Sequence, residues 1–163
     1  MSLSDILVPS LRVVIAGTIS ARHRAEREHY YAGPGNQFWR LLHEAGLTPR
    51  LLDPTEDASL PEYGVGLTDL VGTPDGSGFE LARFRAAVGA AGPQAVAFVS
   101  KTAAILYARA AGERPPRSYG ALSWDVAGGP AFVLPGPSGA NNGMPLPLRI
   151  ALWRDLADFL DSL

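Results

Sequence analysis

With 163 residues, 47% of them hydrophobic and 18% charged, the chain has the length and composition of one folded domain, neither disordered nor long enough for two ordinary domains. The lack of cysteine excludes a disulfide framework, cysteine-ligated zinc and an ordinary iron–sulfur cluster. The formal net charge of −2 argues against a uniformly basic nucleic-acid-binding surface.

Arg12–Ala16 is a β-branched run that predicts a buried strand, followed from Gly17 to Gly35 by a long loop rich in Arg, His, Tyr and Gly. Asn36 is placed to cap a helix through Glu44, with Phe38, Leu41 and Leu42 on one face and Gly46 as its stop. Asp53-Pro54-Thr55-Glu56 carries a cap, a proline at the first helical position and an acid three residues after the cap, so it opens a helix that Pro61 keeps short. Gly64–Val71 predicts a second strand, Phe79–Ala91 a helix with Leu81, Phe84 and Val88 inward, and Gln94–Val99 a third strand. Lys101–Ala111 is an alanine-rich helix stopped by Gly112, and Glu113–Gly120 a proline-rich surface loop. Leu122–Ala127 and Ala131–Leu134 predict two short strands about a Gly128-Gly129 turn. After the Pro135–Pro145 loop, an amphipathic helix carrying Leu148, Leu152, Trp153, Leu156 and Phe159 ends the chain.

Strands alternating with helices predict an α/β fold with a mostly parallel sheet covered on both faces. In such sheets a site lies outside the C-terminal ends of the strands. The loops beginning near Gly17, Asp69 and Pro135 all leave predicted strand ends, and their convergence is the first functional signal. His23, His29 and His43 lack the i,i+4 spacing of a helical metal site, so no metal is expected. Ile6–Val8 is too short for a signal peptide and no apolar run is long enough to span a membrane, so the expected location is cytoplasmic. The basic residues are all arginine except Lys101. They are dense over Arg22–Arg27 and recur at Arg114 and Arg117, whereas Asp155, Asp158 and Asp161 lie on the last helix.

Four segments carry a longer pattern: Gly17-Thr18-Ile19-Ser20-Ala21, Tyr30-Tyr31-Ala32-Gly33-Pro34-Gly35-Asn36-Gln37-Phe38-Trp39, Gly66-Leu67-Thr68-Asp69-Leu70, and Leu134-Pro135-Gly136-Pro137-Ser138-Gly139-Ala140-Asn141-Asn142. In this order they resemble the mismatch-specific uracil/thymine-DNA glycosylase branch of the uracil-DNA glycosylase superfamily, over nearly the whole chain from about Ile6. The resemblance implies a three-layer α/β/α sandwich that uses no cofactor, acts as a monomer away from membranes, and binds DNA containing a damaged or mismatched base. It implies extrusion of a deaminated base, uracil first and hypoxanthine or xanthine next, and hydrolysis of its N-glycosidic bond without strand cleavage.

The first segment departs from the branch. Its usual Gly-Ile-Asn-Pro-Gly loop positions the attacking water through Asn, and Ile19, which stands there, can neither orient water nor accept a proton. Asp69 is the expected substitute, since some members lacking the Asn are thought to use an acid at this place. A carboxylate can hold water and stabilise a cationic sugar. Gly17, Thr18, Ile19, Ser20 and Tyr31 match the base-holding positions, with Tyr31 as the stacking aromatic, and Asn36 serves either the pocket or the helix cap. Pro137, Ser138, Gly139, Ala140, Asn141 and Asn142 match the loop that wedges into the duplex. Ala140 is smaller there than the frequent leucine, and the two asparagines replace an arginine that contacts the opposite base. Ser100 and Lys101 open a helix and form a phosphate-site candidate.

The rival reading is a DNA-binding module of the same fold without catalysis, favoured by Ile19 and the net charge. A serine hydrolase is excluded because Ala140 breaks the Gly-x-Ser-x-Gly pattern. No Gly-x-x-x-x-Gly-Lys motif supports a nucleotide hydrolase.

Overall fold

The computed structural model describes residues 4–73, 75–139 and 143–163. In chain order the elements are β1 (Val13–Ile19), α1 (Ala21–Glu26), α2 (Phe38–Glu44), a 3-10 helix (Pro54–Tyr63), β2 (Val65–Val71), α3 (Leu81–Ala91), β3 (Ala95–Val99), α4 (Lys101–Ala111), β4 (Gly120–Ala121), β5 (Ala131–Leu134) and α5 (Leu146–Asp161). The sheet order is β2-β1-β3-β5-β4. β2, β1, β3 and β5 run parallel and only β4 is antiparallel, so four C-terminal strand ends share one edge. This is the expected α/β sandwich.

Strand alternation divides the core in two. Val13, Ile15, Val65 and Leu67 face one apolar cluster with Phe38, Leu41 and Leu42 of α2 and Trp153, Leu156 and Leu160 of α5. Val14, Ala16, Leu70, Val96 and Phe98 face the other, with Phe84 and Val88 of α3 and Ala103, Leu106 and Tyr107 of α4. The central strands are buried on both sides, which explains their unbroken apolar runs. Burial of each large side chain stabilises the fold by about 1.5–3 kcal/mol.

Four local expectations change. β1 does not stop at Ala16: Gly17, Thr18 and Ile19 pair in register with Asp69, Leu70 and Val71. The long loop is further shortened by α1, whose N-cap Ser20 accepts a hydrogen bond from the His23 amide at 3.1 Å. The Asp53 capping box forms, but it opens a 3-10 helix that runs past Pro61 to Tyr63 and stops at Gly64, φ 78°. A proline inside costs this helix one N–H donor without ending it.

The fourth change concerns the last hairpin, where the ladder with β5 is Gly120–Ala121 and not Leu122–Ala127. Trp124 leaves the strand path to stack on Tyr107, with ring centroids 5.7 Å apart, and donates Nε1–H to the Arg114 carbonyl at 2.9 Å. Leu122 N–H still donates to the Ala131 carbonyl at 2.8 Å, and a Val126–Gly129 bridge closes the glycine turn. In α5, Leu148 is exposed while Trp153, Leu156 and Leu160 carry the packing.

Candidate active site

The β1–β2 register sets Gly17 opposite Asp69, both on the sheet face that packs against α2 and α5. A Cβ built on Gly17 would lie 2.6 Å from the Tyr31 hydroxyl oxygen and 3.5 Å from Asp69 Oδ1. Gly17 is therefore required by close approach, and the Asp69 carboxylate points toward the first motif.

Asp69 Oδ2 faces two cations. Arg27 Nη2 donates to it at 2.5 Å and Arg24 Nη1 at 3.1 Å. The Asp69 side chain is only 2% exposed, and burial pushes its carboxyl above the ordinary value against the downward pull of Arg27 and Arg24. Arg24 also reaches Asp5 at 2.8 Å, and Asp5 accepts from the Thr68 hydroxyl at 2.9 Å. A cavity of about 240 Å³ opens beside this network, with Asp5, Arg24, Asp69, Phe79 and Arg83 in its lining.

Tyr31 reaches Gly17 because its backbone adopts φ 52°, a left-handed conformation strained for a residue with a Cβ. Its neighbour Tyr30 is anchored by an amide hydrogen bond to buried Asp57 at 3.0 Å and by Trp39 Nε1, which donates to the Tyr30 carbonyl at 3.3 Å. The Tyr31 ring stacks on Phe38 at 4.0 Å. Its hydroxyl is buried without a hydrogen-bond partner among the described residues, and desolvation raises its pKa, so it remains protonated.

The fourth segment closes beside Tyr31. Gln37 N–H donates to the Pro137 carbonyl at 2.8 Å, and Gly139 lies so near Gly35 that an added Cβ would come within 2.9 Å of the Gly35 carbonyl oxygen. From α5, Arg149 reaches the Ser138 carbonyl at 3.3 Å, and Trp153 Nε1 donates to the Pro135 carbonyl at 3.2 Å. Three separated motifs thus meet at the C-terminal edge around a buried acid.

The uracil DNA glycosylase superfamily model matches residues 5–157. The chain belongs to the uracil DNA glycosylase superfamily. Membership places it among DNA repair glycosylases, which act on DNA. The fold is similar to the solution NMR structure of a candidate uracil DNA glycosylase from Methanosarcina acetivorans, with TM-score 0.61 and 20% identity over 98% of this chain and 97% of that one.

Within this glycosylase scaffold the sequence-predicted residues do not all converge. Gly17, Asp69 and Tyr31 come together, whereas Thr18, Ile19 and Ser20 line a separate cavity of about 280 Å³ with His23, Thr73 and Thr102. The N-cap of α2 is Gln37 and not Asn36 as expected; Asn36, one residue earlier, accepts from the Phe38 amide through Oδ1 at 3.0 Å, which ties its side chain to the start of the helix. The Ser100 hydroxyl caps α4 by accepting from Ala103 N–H at 3.2 Å, and the Lys101 ammonium stands 4.5 Å over the Tyr119 ring. Pro137, Ser138 and Gly139 border the Tyr31 loop, while Ala140, Asn141 and Asn142 lie outside the described residues.

Arg27, Arg24 and Arg149 were missed as individual site residues. The sequence shows only that arginines are dense over Arg22–Arg27; in the structure Arg24 of α1 and Arg27, its C-cap, turn inward to Asp69. Nothing in their spacing reveals a partner more than forty residues away. Among the described residues no group of three His, Cys, Asp or Glu side chains is placed to hold a metal ion.

Proposed function

We propose that this chain is a monofunctional DNA glycosylase of the mismatch-specific branch, which extrudes a deaminated base and hydrolyses its N-glycosidic bond with a water held by Asp69. Uracil is the first substrate, with hypoxanthine and xanthine next. The observation that carries the reading is the buried Asp69 carboxylate, its Oδ1 directed toward Gly17 at the strand ends where Tyr31 also converges.

Glycosidic cleavage leaves positive charge on the sugar and negative charge on the departing base. A desolvated carboxylate near the sugar stabilises that cation and accepts the proton of the attacking water. Tyr31 supplies an aromatic surface suited to a flat base, and its protonated hydroxyl is a donor. Ile19 takes no part in orienting the water.

Labelled oligonucleotides carrying uracil, hypoxanthine or xanthine, incubated with wild type or Asp69→Asn and then treated with alkali, test the reading. Wild type is expected to generate alkali-labile sites, and Asp69→Asn to slow this by about a hundredfold or more. The Arg24–Arg27 clamp on Asp69 favours a second reading, a DNA-binding module of the same fold without catalysis. DNA binding with no abasic product on any of the three substrates would select that alternative.

A further inference from the structure

We propose that Arg27, supported by Arg24, is a positioning residue that holds the Asp69 carboxylate by Oδ2 and leaves Oδ1 for the attacking water. The inference rests on the role assigned to Asp69 above. Both arginine contacts converge on one carboxylate oxygen, at 2.5 and 3.1 Å, while the other oxygen faces Gly17. A carboxylate held through one oxygen cannot rotate freely, so its remaining lone pairs keep a fixed direction.

Arg27 is built for one orientation. Its guanidinium lies 4.1 Å from the Tyr30 ring centroid, its side chain is 17% exposed, and its Nε is buried without a hydrogen-bond partner among the described residues. Leaving one donor unsatisfied is unfavourable, and the close Asp69 contact and the ring beneath the guanidinium offset that cost. Arg24 is a weaker clamp because it divides its donors between Asp69 and Asp5.

The groups facing Asp69 are Arg27 and Arg24, Asp5 from the N-terminal segment, and the Tyr30 and Tyr31 hydroxyls. Burial and Asp5 raise the Asp69 carboxyl, and the arginines lower it. Only the ionised carboxylate can accept a proton from water, so activity is present above the Asp69 pKa and is lost as pH falls through it. Removal of the Arg27 charge raises that pKa further and moves the acid limb to higher pH.

The test is a pH profile of single-turnover cleavage on uracil-containing DNA by the full chain, for wild type, Arg27→Gln, Arg27→Lys and Arg24→Gln. Arg27→Gln is expected to shift the acid limb upward by roughly one pH unit. Arg27→Lys should restore most of the shift, and Arg24→Gln should move the limb less. The carboxyl 13C resonance of Asp69 should titrate in parallel, and it reports on any folded variant whether or not the variant turns over. Arg27→Met, which retains an apolar stem over Tyr30, serves if the glutamine variant does not fold. A folded Arg27→Gln or Arg27→Met protein with unchanged Asp69 titration and an unchanged acid limb overturns the inference. Full activity of Asp69→Asn would instead overturn the reading on which it rests.

Discussion

On the α2/α5 face of β1, Gly17 meets Asp69 and the Tyr31 hydroxyl, and two arginines close around the carboxylate. One residue further along, Thr18 lines a cavity shared with Thr102 and Leu106 of α4, the helix packed against the opposite face. The first region is charged, desolvated and tied together by ion pairs. Among the described residues the second is lined mainly by hydroxyls and apolar groups, with His23 as the only titratable side chain and no carboxylate. A five-residue motif therefore does not act as a unit. Gly17 meets the acid, whereas Thr18, Ile19 and Ser20, where β1 ends and α1 begins, line the second cavity, so only the Gly17 end of the motif touches a carboxylate able to handle water.

The largest effect that could break this comparison is the Asp69→Asn loss, about a hundredfold or more in cleavage rate. Gly17→Ala should come next, with roughly a tenfold loss in a folded protein, because its Cβ would displace the Tyr31 hydroxyl from 2.6 Å. Adding Tyr31→Phe removes that atom, so the double variant should recover part of the loss, measured as a coupling in single-turnover rates. Trp153→Phe should destabilise the protein by about 1–3 kcal/mol in urea titration, since it leaves the Pro135 carbonyl without its indole donor. It sharpens the contrast because Trp153 packs on Phe38 and holds the loop beside Tyr31, on the side away from the Thr18 cavity.

The smallest effect should come from Thr18→Val or Thr102→Val, less than about threefold in cleavage rate, because neither hydroxyl can take a proton from water and the described lining of their cavity has no carboxylate. A loss as large as that of Asp69→Asn would place the reacting base on the α3/α4 face.

Much of the fold was legible because its signals are local. The Gly112 stop of α4, the Asp53 capping box and the apolar runs of β2 and β3 depend on neighbours within a few residues. The continuation of β1 through Ile19 was not legible, because it depends on pairing with Asp69–Val71, about fifty residues away. Nor was the loss of strand at Leu122–Ala127, which follows from Trp124 finding Tyr107 and the Arg114 carbonyl.

By itself the sequence determined that the fold is α/β, that motif loops leave the strand ends, and that Asp69 stands near the end of the second strand. Hydrophobic period, turn chemistry and the order of motifs are properties of the linear chain. Only the tertiary structure decided that Thr18 and Gly17 belong to different environments, that Asn36 bonds to the start of α2 and Ser100 caps α4, and that Arg24 and Arg27 face the acid. The physical reason is that an ion pair depends on distance and desolvation in space. Residues 24, 27 and 69 acquire their common chemistry only when β1 and β2 align and α1 folds over their ends.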